Sequence, residues 1–445
     1  MGRLFGTDGV RGVANRGLTP ELAFRLGRAG AAVIAGGGRP RVLIGRDTRL
    51  SGEMLEAALA AGIASVGGDA VRLGIVPTPG VAYLTRALGA DAAAMISASH
   101  NPVPDNGIKF FAGDGFKLPD EVEEEIERLV EADEDRLPRP IGVEIGRIHE
   151  EPGAWRRYAD FLRASCEESL AGLRIVVDCG FGAAFRIAPT VLRELGAEVV
   201  AINDEPDGAR INVGCGSTSP EVLRREVVAR RADLGLAHDG DADRVIAVDE
   251  EGKLVDGDRL MCICALERLA EGTLPKKAIV ATVYSNLGLR EAIRAAGGEV
   301  LIAPNGDRYV LEAMRRHGVA IGGEQSGHII FLEKTTTGDG ILTALQVLGV
   351  LVRSGRRLSE LAAQMRAFPQ ILVNVPVSAK ERLAENEAVR EAVAAAEEAL
   401  AGRGRIFVRA SGTESLVRVM AEGPDEEELR RIVAAVAAVV ERELA

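Results

Sequence analysis

One local pattern, met three times, dictates most of what this chain can fold into. Residues 42–44 are an apolar strand that opens into Gly45-Arg46-Asp47-Thr48-Arg49. A helical stretch over 54–66 follows, then a break at Gly67-Gly68-Asp69 and a second strand at Val71-Arg72-Leu73. The order returns at Ile175-Val176-Val177, through Asp178-Cys179-Gly180-Phe181-Gly182 and a helix to Gly196-Ala197-Glu198 and a strand over 199–202. It returns again at Ala278-Ile279-Val280, through Ser285-Asn286-Leu287-Gly288 and a helix to Gly297-Gly298-Glu299 and a strand over 300–302. Strand–helix–strand order calls for parallel strands joined by a crossover. The shared glycine break before an acidic residue favours three related α/β domains over chance repetition.

Length agrees, because 445 residues exceed what one hydrophobic core serves. Breaks are expected near 153, after the Pro-rich stretch 137–140 and Pro152-Gly153; at Glu250-Glu251-Gly252; and at Phe368-Pro369. The last segment reads differently: a strand over 371–377, a long Ala/Glu helix, strands over 406–408 and 416–420, and a final helix, a small α+β domain. The expected divisions are therefore 1–153, 154–252, 253–368 and 369–445. Before the first repeat, Thr19 caps a helix that starts at Pro20 and stops at Gly36-Gly37-Gly38. The acidic run 120–135 carries Val122, Ile126, Leu129 and Val130 at helical spacing, so it reads as an amphipathic helix with a solvated face.

Four loops carry chemistry. In Ile96-Ser97-Ala98-Ser99-His100-Asn101-Pro102 a serine sits where a strand opens into a loop that Asn-Pro keeps from continuing. Small flanking residues leave its hydroxyl accessible, but on the heptapeptide alone the reading is an ordinary turn. His100 adjoins Ser99, but neighbours in an extended segment point to opposite faces, so it reads as structural or as a phosphate contact. His238-Asp239-Gly240-Asp241-Ala242-Asp243-Arg244 places three carboxylates over five residues between apolar segments. Their repulsion calls for a hard divalent cation with oxygen ligands. Asp239, Asp241, Asp243 and Glu250 mimic an EF-hand, but Arg244 stands where that loop needs glycine and the flanks read as strands.

Gly322-Gly323-Glu324-Gln325-Ser326-Gly327-His328 concentrates carboxylate, amide and hydroxyl groups suited to sugar hydroxyls. Arg409-Ala410-Ser411-Gly412-Thr413-Glu414-Ser415, with Arg418 beyond it, offers hydroxyls and guanidiniums for phosphate but is no P-loop. Gly180-Phe181-Gly182-Ala183-Ala184-Phe185 with Asp204 mimics a dinucleotide fingerprint, against which Phe185 stands where a small residue is needed.

The formal net charge of -12 argues against a nucleic-acid binder, so any phosphate must be met by local Arg and Lys. Five cysteines without a CxxC pair point to a reduced, cytosolic chain. The N-terminus lacks a signal-peptide core, and the apolar run 341–352 is too short to span a bilayer.

Together, in this order, the four loops resemble those of the α-D-phosphohexomutase family, and the resemblance covers the whole chain. Its carriers are the serine loop with Asp105-Asn106-Gly107-Ile108-Lys109, the Asp239–Arg244 loop, Gly323–His328 and Arg409–Ser415, besides Phe5-Gly6-Thr7-Asp8-Gly9-Val10-Arg11-Gly12. The wording of this N-terminal stretch and of Gly323–His328 is closest to the branch acting on glucosamine phosphates. Members acting on glucose or mannose phosphates usually differ after Glu324. The resemblance implies three similar α/β domains of mixed sheets plus a C-terminal α+β domain like the TATA-binding protein, around a central cleft.

It further implies isomerisation of a hexosamine phosphate between its 6- and 1-positions, a reaction that feeds UDP-N-acetylglucosamine and cell-wall precursor synthesis. Phosphorylated Ser99 would give its phosphoryl group to the sugar and take the other one back. Mg2+ would sit on Asp239, Asp241, Asp243 and Ser99, and glucosamine 1,6-bisphosphate or glucose 1,6-bisphosphate would act as phosphorylating activator. Gly323, Glu324 and Ser326 would hold the sugar; Arg409, Ser411, Gly412, Thr413 and Arg418 the other phosphate. Lys109 is the first candidate for general base, with Arg11 assisting and His328 as alternative; a lysine base needs a lowered pKa. The departures are Ala242 for a common glycine, Ser415 for a frequent proline, Ser219 for a frequent histidine, and Phe181 with Phe185 in the second domain's first loop. The expected partner is a small phosphosugar, with no nucleic acid and no membrane; a homodimer is compatible with the chain and not fixed by it. A sister mutase for glucose or mannose phosphate, and a metal-dependent phosphatase using Ser99, are the competing readings.

Overall fold

The computed structural model describes residues 4–6, 8–35, 38–400, 402–411 and 415–445. The chain forms two compact units: one runs up to Tyr284 and includes Gly298–Gln364, the other joins Ser285–Gly297 to Met365–Ala445. No helix among the described residues is long and apolar enough to cross a membrane.

Three sheets build the first unit. The first contains β1 (Val10–Val13), β2 (Arg41–Arg46), β3 (Asp69–Ile75), β4 (Ala92–Ile96), β5 (Asp105–Ala112) and β6 (Ile148–Glu150), in the order β1-β5-β4-β2-β3-β6. The second contains β7 (Arg174–Asp178), β8 (Glu198–Ile202), β9 (Leu234–His238), β10 (Val245–Asp249) and β11 (Leu254–Val255), in the order β11-β10-β9-β7-β8. The third contains β12 (Ala278–Thr282), β13 (Glu299–Ala303), β14 (Ile321–Gly323) and β15 (Ile329–Phe331), in the order β13-β12-β14-β15.

One four-strand arrangement underlies all three. In β3-β2-β4-β5, β8-β7-β9-β10 and β13-β12-β14-β15 the first three strands are parallel and the last is antiparallel. The three repeats read from sequence are the opening βαβ of each. The serine loop, the carboxylate loop and the Gly323–His328 loop each follow the third strand of their repeat. They are equivalent positions of one motif.

Burial explains the strand patterns: all five residues of β4, β9, β10 and β12 are buried, as strands covered on both faces require. Beside the first sheet the helices Pro20–Ala35 and Gly52–Ser65 touch backbone to backbone. A Cβ at Gly27 would strike the Leu59 carbonyl, and one at Gly62 the Phe24 carbonyl. These two mid-helix glycines each give up about 1 kcal/mol of helix propensity for that approach.

The helix Ala154–Ala164 ties the repeats together. Phe161 stacks on Tyr83 at 4.3 Å between centroids, and the Tyr158 hydroxyl donates to Asp339 Oδ2 at 2.7 Å. Asp339 caps the helix Gly340–Ser354 by accepting from Leu342 N. Burial pushes its carboxyl up to about 6, against the pull of these hydrogen bonds. A carboxyl raised on folding stabilises most below its unfolded pKa and loses that contribution as pH rises through the folded value. Tyr158→Phe removes a donor that only the ionised form needs. We therefore expect Tyr158→Phe to lower the unfolding free energy more at pH 8 than at pH 5, by about 1–3 kcal/mol at the higher pH. Equal losses at both values would refute this reading of the pair.

The second unit carries β16 (Gln370–Pro376), β17 (Arg405–Ala410) and β18 (Leu416–Glu422), all antiparallel in the order β16-β18-β17. The helices Glu387–Leu400 and Glu426–Leu444 supply its core through Val389, Ala396, Leu400, Leu429, Val433, Val436 and Val440. The helix Leu287–Ala295, expected to pack within the third repeat, belongs to this unit instead. Leu287 N donates to Glu422 Oε1, Asn286 Nδ2 donates to Phe368 O, and a Cβ at Gly288 would strike the Arg366 carbonyl. A helix's apolar stripe does not specify which apolar surface covers it.

Candidate active site

Ser99 is almost fully buried and has a left-handed backbone, with φ +52°. Its amide donates to Ser97 Oγ at 2.9 Å, and Ser97 Oγ donates to Asp47 Oδ2 at 2.6 Å. The Ser99 hydroxyl donates to Asp239 Oδ2 at 2.6 Å, 140 residues away in sequence. The left-handed turn corrects one expectation. His100 does not point away: its Nδ1 lies 3.3 Å from Ser99 Oγ, because the segment is not extended there. Burial, then Arg244 and Arg11, push the His100 imidazole down to about 4, so it is neutral at pH 7.

Asp239, Asp241 and Asp243 lie on the connection between the paired strands β9 and β10, where His238 faces Val245. The strand flanks dispose of the EF-hand resemblance. The three buried carboxylates each bring an oxygen within 4.8 Å of the others. Burial pushes the Asp239 carboxyl well up, and Asp243 and Asp241 push it further; burial and Asp241 also raise Asp243. Burial acts on Asp241 the same way, but Lys109 and the Thr78 hydroxyl, 2.5 Å from its Oδ2, more than offset it and hold it down. Asp241 Oδ1 and Asp243 Oδ1 are buried without a hydrogen-bond partner. Orphaned carboxylate oxygens at such spacing suit a hard divalent cation. Ala242, the departure from glycine in this loop, has φ +55°, the conformation in which glycine carries no steric cost.

Basic groups approach from the first sheet. Lys109 on β5 places Nζ 2.9 Å from Asp241 Oδ2, 3.5 Å from Asp8 Oδ2 and 3.8 Å from Asp243 Oδ2. Burial alone would lower its pKa, but Asp241, Asp8 and Asp243 outweigh it and hold the ammonium well above its ordinary range. The lowered pKa that a base requires is therefore not met in this arrangement. Arg11 pairs with Asp8 and donates Nη1 to Ala98 O and Asn101 Oδ1, both at 3.3 Å. Lys117 bridges Asp8 and Asp307, linking the first repeat to the third.

The carboxylate loop and the Gly323–His328 loop pair directly. Arg244 and His328 form a bridge, and Val245 N donates to Gly327 O at 3.1 Å. Gly327 has φ +93°, and a Cβ there would strike the Val245 carbonyl. His328 is buried, with Nε2 3.9 Å from both Asp243 Oδ2 and Asp307 Oδ2 and neither ring nitrogen hydrogen-bonded. Glu324 Oε1 accepts from Gly306 N at 3.0 Å, and Gly323 pairs with Ile329. Ser326 is exposed. The fold thus gathers Ser99, Lys109, Arg11, the three aspartates and His328 into one charged cluster, with Gly323, Glu324 and Ser326 on the adjoining loop.

Arg409, Ser411 and Arg418 lie in the second unit. Arg409 and Arg418 face each other across β17 and β18, and Lys380 Nζ donates to Ser411 O at 2.8 Å. Gly412 and Thr413 lie outside the described residues. The Gly180–Phe185 loop is no dinucleotide cradle: Ala183 N donates to Gly240 O and Phe181 N to Asn203 O, so it braces the carboxylate loop.

Asp47, Arg49, Thr78, Lys117 and Asp307 also join the site, and no motif in the sequence marks them for it. The only local signal was the density of charge in Arg46-Asp47-Thr48-Arg49, at the first βα turn of the first repeat.

Four family models of phosphoglucomutase/phosphomannomutase match in succession: alpha/beta/alpha domain I over residues 2–137, domain II over 156–252, domain III over 256–368 and the C-terminal domain over 372–439. A curated relative from Moorella thermoacetica, named phosphoglucosamine mutase, is 62% identical over 435 residues, covering 98% of each chain. A crystal structure of a phosphoglucomutase/phosphomannomutase family protein from Burkholderia thailandensis superposes with a TM-score of 0.83 at 26% identity, covering 99% of this chain and 97% of that one. The N-acetylphosphoglucosamine mutase of Aspergillus fumigatus, in complex with GlcNAc-6P and magnesium, shares the fold with a TM-score of 0.72 at 19% identity, covering 99% of this chain and 96% of its own.

Proposed function

The chain belongs to the phosphoglucomutase/phosphomannomutase family, and on that premise we propose that it is an isomerase interconverting glucosamine 6-phosphate and glucosamine 1-phosphate, the phosphoglucosamine mutase reaction. The observation that carries this is the hydrogen bond from the buried Ser99 hydroxyl to Asp239 within a group of three carboxylates. A serine so held is built to carry a phosphoryl group beside a cation. The name of the Moorella relative selects the glucosamine branch.

In the forward direction the phosphorus–oxygen bond to Ser99 breaks as one forms to the free sugar oxygen, giving a bisphosphate. After the sugar turns round, its other phosphoryl group returns to Ser99. Asp239, Asp241 and Asp243, with the Ser99 phosphate, are the proposed Mg2+ ligands. When bound, the ion would offset charge on the group in transfer. Ligation of Asp241 would also weaken the ion pair that holds Lys109 as ammonium, the condition under which Lys109 can accept the sugar proton. Arg11 steadies the serine loop through Ala98 and Asn101, and His328 is the alternative base. Gly323, Glu324 and Ser326 are assigned to sugar hydroxyls. Arg409, Ser411, Gly412, Thr413 and Arg418 are assigned to phosphate on the resemblance of their loop to that of the family. Glucosamine or glucose 1,6-bisphosphate is the proposed source of the first phosphoryl group. The divisions 1–153, 154–252, 253–368 and 369–445 are proposed as the four domains; each holds one sheet apart from the short edge strand β11 of the second, which falls just past the second division.

The test is a panel of glucosamine, glucose and mannose 6-phosphates, assayed with Mg2+ and glucose 1,6-bisphosphate. We expect glucosamine 6-phosphate to give the highest kcat/KM and chelation to stop turnover. A preference for mannose or glucose phosphate would move the chain to a sister activity. Phosphate release without the 1-phosphate isomer would make it a phosphatase.

A further inference from the structure

The most completely satisfied polar side chain near the site belongs to a residue that no role has yet claimed. Arg49 is fully buried. Its Nη1 donates to the carbonyls of Pro102 at 2.7 Å and Asp105 at 2.9 Å. Its Nη2 donates to the carbonyls of Ser99 at 2.9 Å and Asn101 at 2.8 Å. Its Nε and its amide donate to Asp47. Five carbonyl or carboxylate acceptors thus surround one planar guanidinium, three of them on the serine loop and a fourth at the start of β5.

Asp47 closes the arrangement. The same carboxylate that takes Arg49 Nε takes the Ser97 hydroxyl, whose oxygen accepts from Ser99 N. Arg49 therefore grips Ser99 by its carbonyl, and Asp47 through Ser97 grips it by its amide. Asn212 Nδ2 adds a second donor to the Ser99 carbonyl at 2.9 Å. A left-handed serine persists only where its surroundings over-determine it. Here that backbone conformation turns Oγ toward Asp239. A point charge on a flexible stem cannot reproduce a planar fork of donors.

We infer that Arg49 is a positioning residue for phosphoryl transfer: with Asp47 and Ser97 it locks the Ser99 backbone so that Oγ faces the carboxylate group. Arg49 touches neither sugar nor phosphate and acts through Ser99. The inference rests on the reading of Ser99 as the phosphoryl carrier. It predicts a loss in the chemical step with substrate binding kept, because a small misplacement of a reacting atom costs about 100-fold.

The experiment compares wild type, Arg49→Lys and Ser97→Ala as full-length proteins. Each is incubated with glucose 1,6-bisphosphate, weighed intact for Ser99 phosphorylation, and assayed with glucosamine 6-phosphate. We expect Arg49→Lys to lose about 100-fold or more in kcat with KM within about threefold, and to accept phosphate more slowly than wild type. Ser97→Ala is expected to lose kcat in the same sense by about tenfold, as the loss of one of the two grips. A folded Arg49→Lys with kcat within twofold of wild type, or with kcat kept and KM raised, overturns the inference. If Arg49→Lys does not fold, Ser97→Ala decides by the same criterion. Wild type that neither carries phosphate on Ser99 nor isomerises the substrate would instead sink the reading of Ser99 itself.

Discussion

Ser99→Ala is expected to abolish isomerisation, by at least about 10,000-fold in kcat, in a protein that still folds. The two consequences have separate physical origins. Without the hydroxyl oxygen there is nothing to which the phosphoryl group can be bonded between its two residences on the sugar, so the two-step relay has no intermediate. The fold survives because the loop is held by its backbone: Arg49 and Asn212 meet the Ser99 carbonyl, and Ser97 meets its amide. None of these bonds involves the side chain that is lost. The left-handed conformation suits alanine no worse than serine. Asp239 loses one donor, a cost of about 1–3 kcal/mol. Intact mass should show a wild-type population heavier by one phosphoryl group and none in the variant. An active Ser99→Ala would end the covalent mechanism.

The second large effect carries opposite signs for activity and stability. Asp239→Asn is expected to cost at least about 1,000-fold in Mg2+-supported kcat, since it removes one anionic oxygen from the group assigned to the ion. In chelator, the same variant should melt higher than wild type. Three buried carboxylates have oxygens within 4.8 Å of one another, and a pair at that distance repels by ~3 kcal/mol at an effective dielectric of about 20. Lys109 relieves Asp241 foremost and Asp243 less closely, while Asp239 forms no ion pair among the described residues and is relieved only by the more distant Arg244. Asparagine at 239 keeps an oxygen to accept the Ser99 hydroxyl. Mg2+ should raise the melting temperature of wild type, by binding the folded state, and leave that of the variant nearly unchanged. A variant that melts lower than wild type in chelator, or keeps a tenth of the activity in Mg2+, contradicts a metal-ligand role for Asp239.

The net charge of -12 illustrates how the site works against the composition. Arg11, Arg49, Lys109 and Arg244 converge on the serine and carboxylate loops, so the cationic field is local. Asp8 and Asp307 hold Lys117, and Asp241 holds Lys109. This alternation keeps buried charges paired, the condition under which they can be buried at all.

Much of this was readable before any coordinates. Strands, helices and their glycine breaks follow from patterns a few residues long, so the three βαβ repeats and the distinct last segment could be read directly. The aspartates at 239, 241 and 243 announce themselves because their repulsion is a local property of a five-residue stretch. Tertiary structure decided the rest. Nothing near Arg49 indicates that its guanidinium meets carbonyls 50–56 positions later, nor anything near Lys109 that Asp241, 132 positions on, keeps it charged. The left-handed turn at Ser99, which brings His100 beside the hydroxyl, is gripped through its backbone by donors that are distant in sequence. Periodicity reports which face of an element is apolar, and motif spacing reports local chemistry. The meeting of three equivalent loops depends on how whole sheets pack, and that packing alone turns an accessible-looking serine into a buried one aimed at a carboxylate.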